Sequence, residues 1–315
     1  MKIAILESHF VNPGDLSWEQ ITSLGDVRIY DRTAPEEAAA QIGDAQIVLI
    51  NKTPITAQLL DACPTIKLIC VQATGYNVVD CEAAKERGVT VCNVPDYGTD
   101  AVAQFTFSLL LELCNRVGHH DQLVKGGMWS SRPDFSFWDT PQMELAGKTM
   151  GIIGYGRIGQ AVGKIAKAFG MKVLAYSRSA KVGEGDYVTL DQVLAESDVL
   201  SLHCPLTKEN TELINEQTIA RMKDGAMLLN TARGALVKEQ ALKEALIVGK
   251  LRGAAVDVVT NEPIIADNPL LSAPNCIITP HMAWAPAESR QRIIDCVEKN
   301  IRAFLANAPE NVVNP

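Results

Sequence analysis

An arginine, a glutamate and a histidine set the chemistry this sequence offers. Arg233 stands just beyond the apolar run Ala226 to Asn230, Glu262 just beyond Gly253 to Val258, and His281 just beyond Cys276 to Thr279. If these runs are parallel strands of one sheet, their carboxyl ends converge and side chains far apart in sequence meet. The planar guanidinium of Arg233 can then hold a carboxylate through two parallel bonds and polarise an adjacent carbonyl. His281 can protonate that carbonyl oxygen during reduction and remove the proton in reverse, because imidazole works as acid and base near neutral pH. Glu262 can orient the ring and stabilise the imidazolium. Each residue also has a plain alternative: Arg233 in a helix-start ion pair, Glu262 as a surface turn acid, His281 as a loop cap.

Carbonyl reduction needs a hydride, and the middle of the chain supplies the place for its carrier. Met150-Gly151-Ile152-Ile153 reads as a strand running into Gly154, Tyr155, Gly156, Arg157, Ile158 and Gly159, and Gln160 to Gly170 reads as a helix closed by glycine. This strand, tight turn and helix start match a cradle for a dinucleotide pyrophosphate. The next strand ends at Val173-Leu174-Ala175-Tyr176 without the acid that would receive adenosine ribose hydroxyls, and Ser177, Arg178 and Ser179 follow. Those residues, with Lys181 beyond them, suit a ribose phosphate, which favours NADP modestly and keeps NAD as the second choice. Arg178 could equally be a solvated turn residue or stack on adenine.

Further candidates lie at other strand ends. His203, after Val199 to Leu202, reads either as part of the cofactor wall with Cys204 and Pro205, or as a histidine satisfied by loop backbone. Thr231 and Ala232 precede Arg233 at the same edge. Asp257 could meet the nicotinamide amide or ribose, or be satisfied by loop N–H groups. The adjacent His119 and His120 are expected to end a long helix, and no metal site is read from them.

These groups require a particular set of elements. Lys2 to Leu6, Val27 to Tyr30, Ile47 to Ile50, Leu68 to Val71 and Val89 to Cys92 read as strands, with helical spacing at Ala34 to Ile42 and Val79 to Arg87. Thr99 to Arg116 reads as a long apolar helix connecting domains. The aromatic stretch from Lys125 to Asp139 could cover an active site, form a subunit contact or be a surface excursion. A second strand and helix alternation runs from Thr149 to Thr279, and Ala287 to Ala306 reads as a helix returning to the first domain. The expected fold is α/β, with two Rossmann-like domains built on parallel sheets and a cleft between them. The smaller, flavodoxin-like domain is discontinuous, comprising 1–98 and 286–315, and the dinucleotide-binding domain comprises 99–285.

Composition narrows the partners. The 315 residues are 47% hydrophobic, enough for two cores, and the net charge of -8 argues against broad contact with nucleic acid or acidic membranes. Met1 to Leu6 is too short for a signal peptide, and no run is long and apolar enough to span a bilayer. The eight cysteines form no CxxC pair and suggest reduced thiols in a cytoplasmic protein.

Taken together, Ala73-Thr74-Gly75-Tyr76-Asn77, the glycine turn, His203-Cys204-Pro205-Leu206-Thr207, Asn230 to Gly234, Asp257 to Pro263 and Thr279 to Trp284 resemble the D-isomer-specific 2-hydroxyacid dehydrogenases over nearly the whole chain. Gln104 departs from a glutamate common there. The resemblance implies that Arg233, Glu262 and His281 form the catalytic set and that backbone at Ala73, Thr74 and Gly75 binds the substrate carboxylate. It also implies a homodimer joined through the nucleotide domains. Phe137-Trp138-Asp139, Gly75-Tyr76-Asn77 and His281 to Pro286 are most similar to members that reduce hydroxypyruvate to D-glycerate, with glyoxylate as a side substrate. In that setting Trp138 would reach a partner's active site and Trp284 would wall the substrate pocket, with core or interface packing as the alternative for both. A D-lactate dehydrogenase, a broader 2-keto-acid reductase and a nucleotide-sensing regulator are the competing functions.

Overall fold

A computed structural model of the protein describes every residue except Ser179 and Lys181. The chain divides into two compact units, one of residues 1–98 with 284–315 and one of residues 99–283.

The first unit is built on five parallel strands, β1 (Lys2–Ile5), β2 (Asp26–Ile29), β3 (Ile47–Ile50), β4 (Leu68–Val71) and β5 (Thr90–Cys92), in the order β2-β1-β3-β4-β5. This is the flavodoxin-like order. The central strands are apolar at every position because both faces are covered. Ala4, Leu6, Val48, Ile50, Ile69 and Val71 enter one core, while Ile3, Ile5, Ile47, Leu49, Leu68 and Cys70 enter the other. The helix Ala287–Leu305 covers the second face with Ile293, Ile294, Val297 and Ile301, each fully buried. Burial of side chains of this size contributes roughly 1.5–3 kcal/mol apiece before entropy is counted. Arg290 ties this helix down by donating to both carboxylate oxygens of Asp15, at 2.7 and 2.6 Å.

The second unit carries six parallel strands, β6 (Thr149–Ile153), β7 (Lys172–Tyr176), β8 (Val199–Leu202), β9 (Ala226–Asn230), β10 (Leu251–Val256) and β11 (Cys276–Ile278), in the order β11-β10-β9-β8-β6-β7. Tyr187 makes a single parallel bridge to Ala175, so the strand that would extend a doubly wound sheet beyond β7 is reduced to one residue. The chain reverses direction across the sheet at β6 and β8, and ligands of such sheets bind beyond the carboxyl ends there.

The long helix spans Thr99–Asn115, and its Phe107, Leu110, Leu113 and Cys114 pack with Val162 and Ala166 in this unit's core. His119 and His120 do not end it, contrary to the sequence reading. Arg116 adopts φ 46°, breaks the helix, and both histidines ride on a second helix, Val117–Lys125. Their ring Nε2 atoms lie 2.8 and 3.3 Å from Asp139, and His119 holds that carboxyl below its usual range.

No helix is long and apolar enough to cross a membrane among the described residues. The eight cysteines are all free thiols.

Candidate active site

The second unit's register aligns the sites named by the sequence. Tyr176, Ile153, Leu202, Asn230, Val256 and Ile278 stand level across the six strands. Ser177 and Arg178, Gly154, His203, Thr231 to Arg233, Asp257 and Thr279 to His281 therefore all leave the sheet at one edge.

The glycine turn is shaped by three different demands. Gly154 has φ +94°, and a Cβ there would lie 2.4 Å from the backbone nitrogen of Cys204, so the turn after β6 presses on the turn after β8. A Cβ on Gly159 would meet the Gly154 carbonyl oxygen at 2.3 Å, which fixes the close approach of helix to strand. A Cβ on Gly156 would meet nothing within 4 Å. Gly156 is also the N-cap of the helix Arg157–Ala168 and makes no side-chain cap bond to it. These features fit a dinucleotide pyrophosphate. Tyr155 serves the turn itself: its N–H donates to Ser177 Oγ at 3.0 Å and its hydroxyl to Asp186 at 3.1 Å. Burial pushes the phenol up to about 12. Both donors of Tyr155 are thus engaged inside the protein.

At the end of β7, Arg178 is exposed, with its guanidinium 3.8 Å from Glu209. Ser177 accepts the bond from Tyr155, and Ser179 and Lys181 lie outside the described residues. Pro205 is exposed and Cys204 partly buried, its thiol raised by burial. His203 is partly buried, its Nε2 lies 2.8 Å from Ser201 Oγ, and burial pushes its imidazole down to about 4. It is therefore neutral at physiological pH, which suits a wall and not an acid.

Arg233, Glu262 and His281 emerge from three loops that hold one another. Asn230 Nδ2 donates to the Arg233 carbonyl at 2.8 Å, and Asn230 Oδ1 accepts the Ala232 N–H at 3.1 Å. Thr231 Oγ1 lies 3.2 Å from Thr106 Oγ1 in the long helix. Arg233 is exposed. His281 adopts φ 52°, and its N–H donates to the Asp257 carbonyl at 2.8 Å. Its Nδ1 lies 2.7 Å from Glu262 Oε2, with both side chains about one-third exposed, at 33% and 35%.

Asp257 takes the alternative open to it in the sequence. It is 1% exposed, and its carboxylate accepts from Thr279 Oγ1 at 2.6 Å and from the N–H groups of Met282 and Ala283 at 2.9 and 2.8 Å. These bonds fix the His281 loop from beneath.

In the first unit, Ala73, Thr74 and Gly75 follow β4 at its carboxyl end. Trp284 packs edge-on against Tyr97 at 6.3 Å and joins the margin of the core beneath Ala287–Leu305. Trp138, in the second unit, is 68% exposed next to the anchored Asp139. Among the described residues no group of three or more His, Cys, Asp or Glu is placed to hold a metal ion.

Residues 107–283 match the family model for the NAD binding domain of the D-isomer specific 2-hydroxyacid dehydrogenases. The chain belongs to that family. It is 54% identical to a hydroxypyruvate reductase of Blautia hydrogenotrophica, covering 100% of both chains. It is 42% identical to a glycerate dehydrogenase of Methylorubrum extorquens over 90% of each. Among solved structures, a D-lactate dehydrogenase of Aquifex aeolicus complexed with NAD and lactic acid superposes with a TM-score of 0.83 at 32% identity, covering 100% of this chain and 99% of that one. The protein is thus an oxidoreductase with a nicotinamide-nucleotide domain.

Spacing did not reveal several residues that position this dehydrogenase's site. Glu239 accepts the Thr260 N–H at 2.7 Å and Asn268 Nδ2 at 2.9 Å, bracing the segment before Glu262. Its partners lie 21 and 29 residues away, and no local pattern links them. Ser201 could have been found, since it is two residues before His203 and strand alternation puts both on one face.

Proposed function

We propose that this dehydrogenase reduces a short 2-keto acid to its D-2-hydroxy acid, with hydroxypyruvate to D-glycerate as the leading reaction and glyoxylate as a further substrate. The 2.7 Å contact between His281 Nδ1 and Glu262 carries this reading, at the same sheet edge as Arg233 and the glycine turn. The relatives named for hydroxypyruvate and glycerate support the substrate.

Gly156, the N–H groups opening Arg157–Ala168, His203, Cys204 and Pro205 would hold the dinucleotide, and when bound it supplies the hydride. Arg233 holds the substrate carboxylate and polarises the carbonyl. Glu262 fixes the His281 ring through Nδ1, so Nε2 hands the proton to the carbonyl oxygen and recovers it in the oxidative direction. The negative charge of Glu262 stabilises the imidazolium that forms. Ala73, Thr74 and Gly75 bind the carboxylate, with Trp284 as an apolar wall.

NADP is the proposed cofactor ahead of NAD, supported by exposed Arg178 and the lack of an acid directly after Tyr176. Glu209 beside Arg178 supports NAD as the second choice, since a carboxylate there can receive ribose hydroxyls. We also propose a cytoplasmic homodimer joined through the nucleotide domains, with Trp138 reaching the partner's site; the exposed Phe135 and Trp138 support the joining surface.

One kinetic panel tests the reaction: hydroxypyruvate, glyoxylate, pyruvate and a branched keto acid, each with NADPH and NADH. Highest kcat/KM with hydroxypyruvate and NADPH is expected. A higher value for pyruvate overturns the substrate, and a higher value with NADH overturns the cofactor preference.

A further inference from the structure

The carboxyl edge of the first unit's sheet holds, beside Ala73 to Gly75, residues that the chemistry above does not use. Glu7 follows β1 and is 4% exposed, and its Oε2 accepts the consecutive N–H groups of Asn51, Lys52 and Thr53 at 2.8, 2.8 and 2.9 Å. Buried carboxylates persist where hydrogen bonds replace lost water, and these bonds fix the turn after β3. The pairing of Ile50 with Val71 continues beyond the strands, because Gln72 N–H donates to the Ile50 carbonyl at 2.7 Å and Asn51 Nδ2 to the Gln72 carbonyl at 3.1 Å. Lys52 and Ala73 are the next residues of the two turns.

Donors gather on the turn after β4. The Ala73 carbonyl accepts the Val94 N–H at 3.1 Å, the Thr74 carbonyl accepts Asn93 Nδ2 at 2.8 Å, and the Thr74 hydroxyl donates to the Val94 carbonyl at 2.9 Å. Acceptors are thus engaged, whereas among the described residues the N–H groups of Ala73, Thr74 and Gly75 reach no protein acceptor. Lys52 is exposed and has no carboxylate partner among the described residues. Next to this pair, fully buried Gln72 has both amide atoms unpartnered, and 3% exposed Thr53 has an unpartnered hydroxyl. A cation on the turn after β3 and successive unengaged N–H groups on the neighbouring turn after β4 are the elements of an anion site.

We propose that Lys52 is a substrate-binding residue whose ammonium, with the N–H groups of Ala73 to Gly75, holds the carboxylate of the 2-keto acid. The inference rests on the function proposed above and adds a residue to it.

The test is calorimetric binding of oxamate, a carboxylate that cannot be reduced, to the protein saturated with reduced cofactor. Lys52→Met is expected to weaken oxamate about tenfold or more, as for loss of a charge-assisted bond. It should raise KM for glyoxylate and hydroxypyruvate by a similar factor, with kcat and cofactor affinity changed less than about threefold. Lys52→Arg should recover most of the oxamate affinity. Unchanged oxamate binding in Lys52→Met, or no binding to the wild type at millimolar concentration, overturns the proposal. If oxamate binding depends on Lys52 but no short 2-keto acid is turned over, the anion site stands and the reaction assignment falls.

Discussion

A Cβ on Gly234 would lie 2.0 Å from the carbonyl carbon of Val259 and 2.2 Å from its oxygen. The loop bearing Arg233 and the loop leading to Glu262 are therefore in backbone contact, and only a residue without a side chain fits between them. Neither loop can yield cheaply, because Asn230 holds the Arg233 carbonyl at 2.8 Å and Glu239 holds the Thr260 N–H at 2.7 Å.

Gly234→Ala must separate the two loops. The expected outcome is a loss of about 1–3 kcal/mol of stability, the usual cost of overpacking. The kcat/KM should fall about a hundredfold, as for a misplacement near 1 Å. Thermal unfolding and steady-state kinetics check this, and wild-type values for both would show that the contact does not set the spacing.

Asp257 organises the His281 loop from beneath, so its replacement should act on the loop and spare the cofactor. Asp257→Asn turns one acceptor into a donor facing N–H groups, for a loss of about 1–3 kcal/mol and a lower kcat. Titration of protein fluorescence with NADPH should give a Kd within about twofold of wild type. A tenfold rise in Kd with unchanged stability would instead make Asp257 a cofactor contact.

His203 gives the protein an acid-sensitive element. Its imidazole is pushed down from 6.5 to about 4 by burial, so between those values the unfolded chain binds a proton that the native state refuses. Stability present above pH 6.5 is thus lost as pH falls toward 4, by up to ~3 kcal/mol, an upper bound because the ring is partly accessible. Urea unfolding at pH 7 and pH 4.5 should show wild type losing about 2 kcal/mol more than His203→Gln. Equal losses would remove His203 from the acid response.

The strand ends were legible because each apolar run stops where the polar loop residues begin, and parallel strands gather such ends at one edge. Arg233, Glu262 and His281 could therefore be grouped without a contact map. Asp257 was ambiguous because its partners, Thr279, Met282 and Ala283, come from another strand's loop, and only the register shows that they close on it. Glu7 was silent for the same reason, its acceptor role depending on a turn 44 to 46 residues away. The end of the long helix was legible to within a residue, but Arg116 gives no compositional sign of the positive φ after which a second helix starts at Val117. The bonds of Tyr155 to Ser177 and Asp186 depend on three-dimensional neighbours that no local pattern shows.

The central claim is that His281, oriented by Glu262, carries the proton. The most direct measurement is kcat for hydroxypyruvate with saturating NADPH in His281→Ala, alongside the NADPH Kd of the same variant. The account predicts a fall in kcat of about 10²–10⁴-fold, the range of general acid–base catalysis, with the Kd unchanged. A kcat within about threefold of wild type would contradict it.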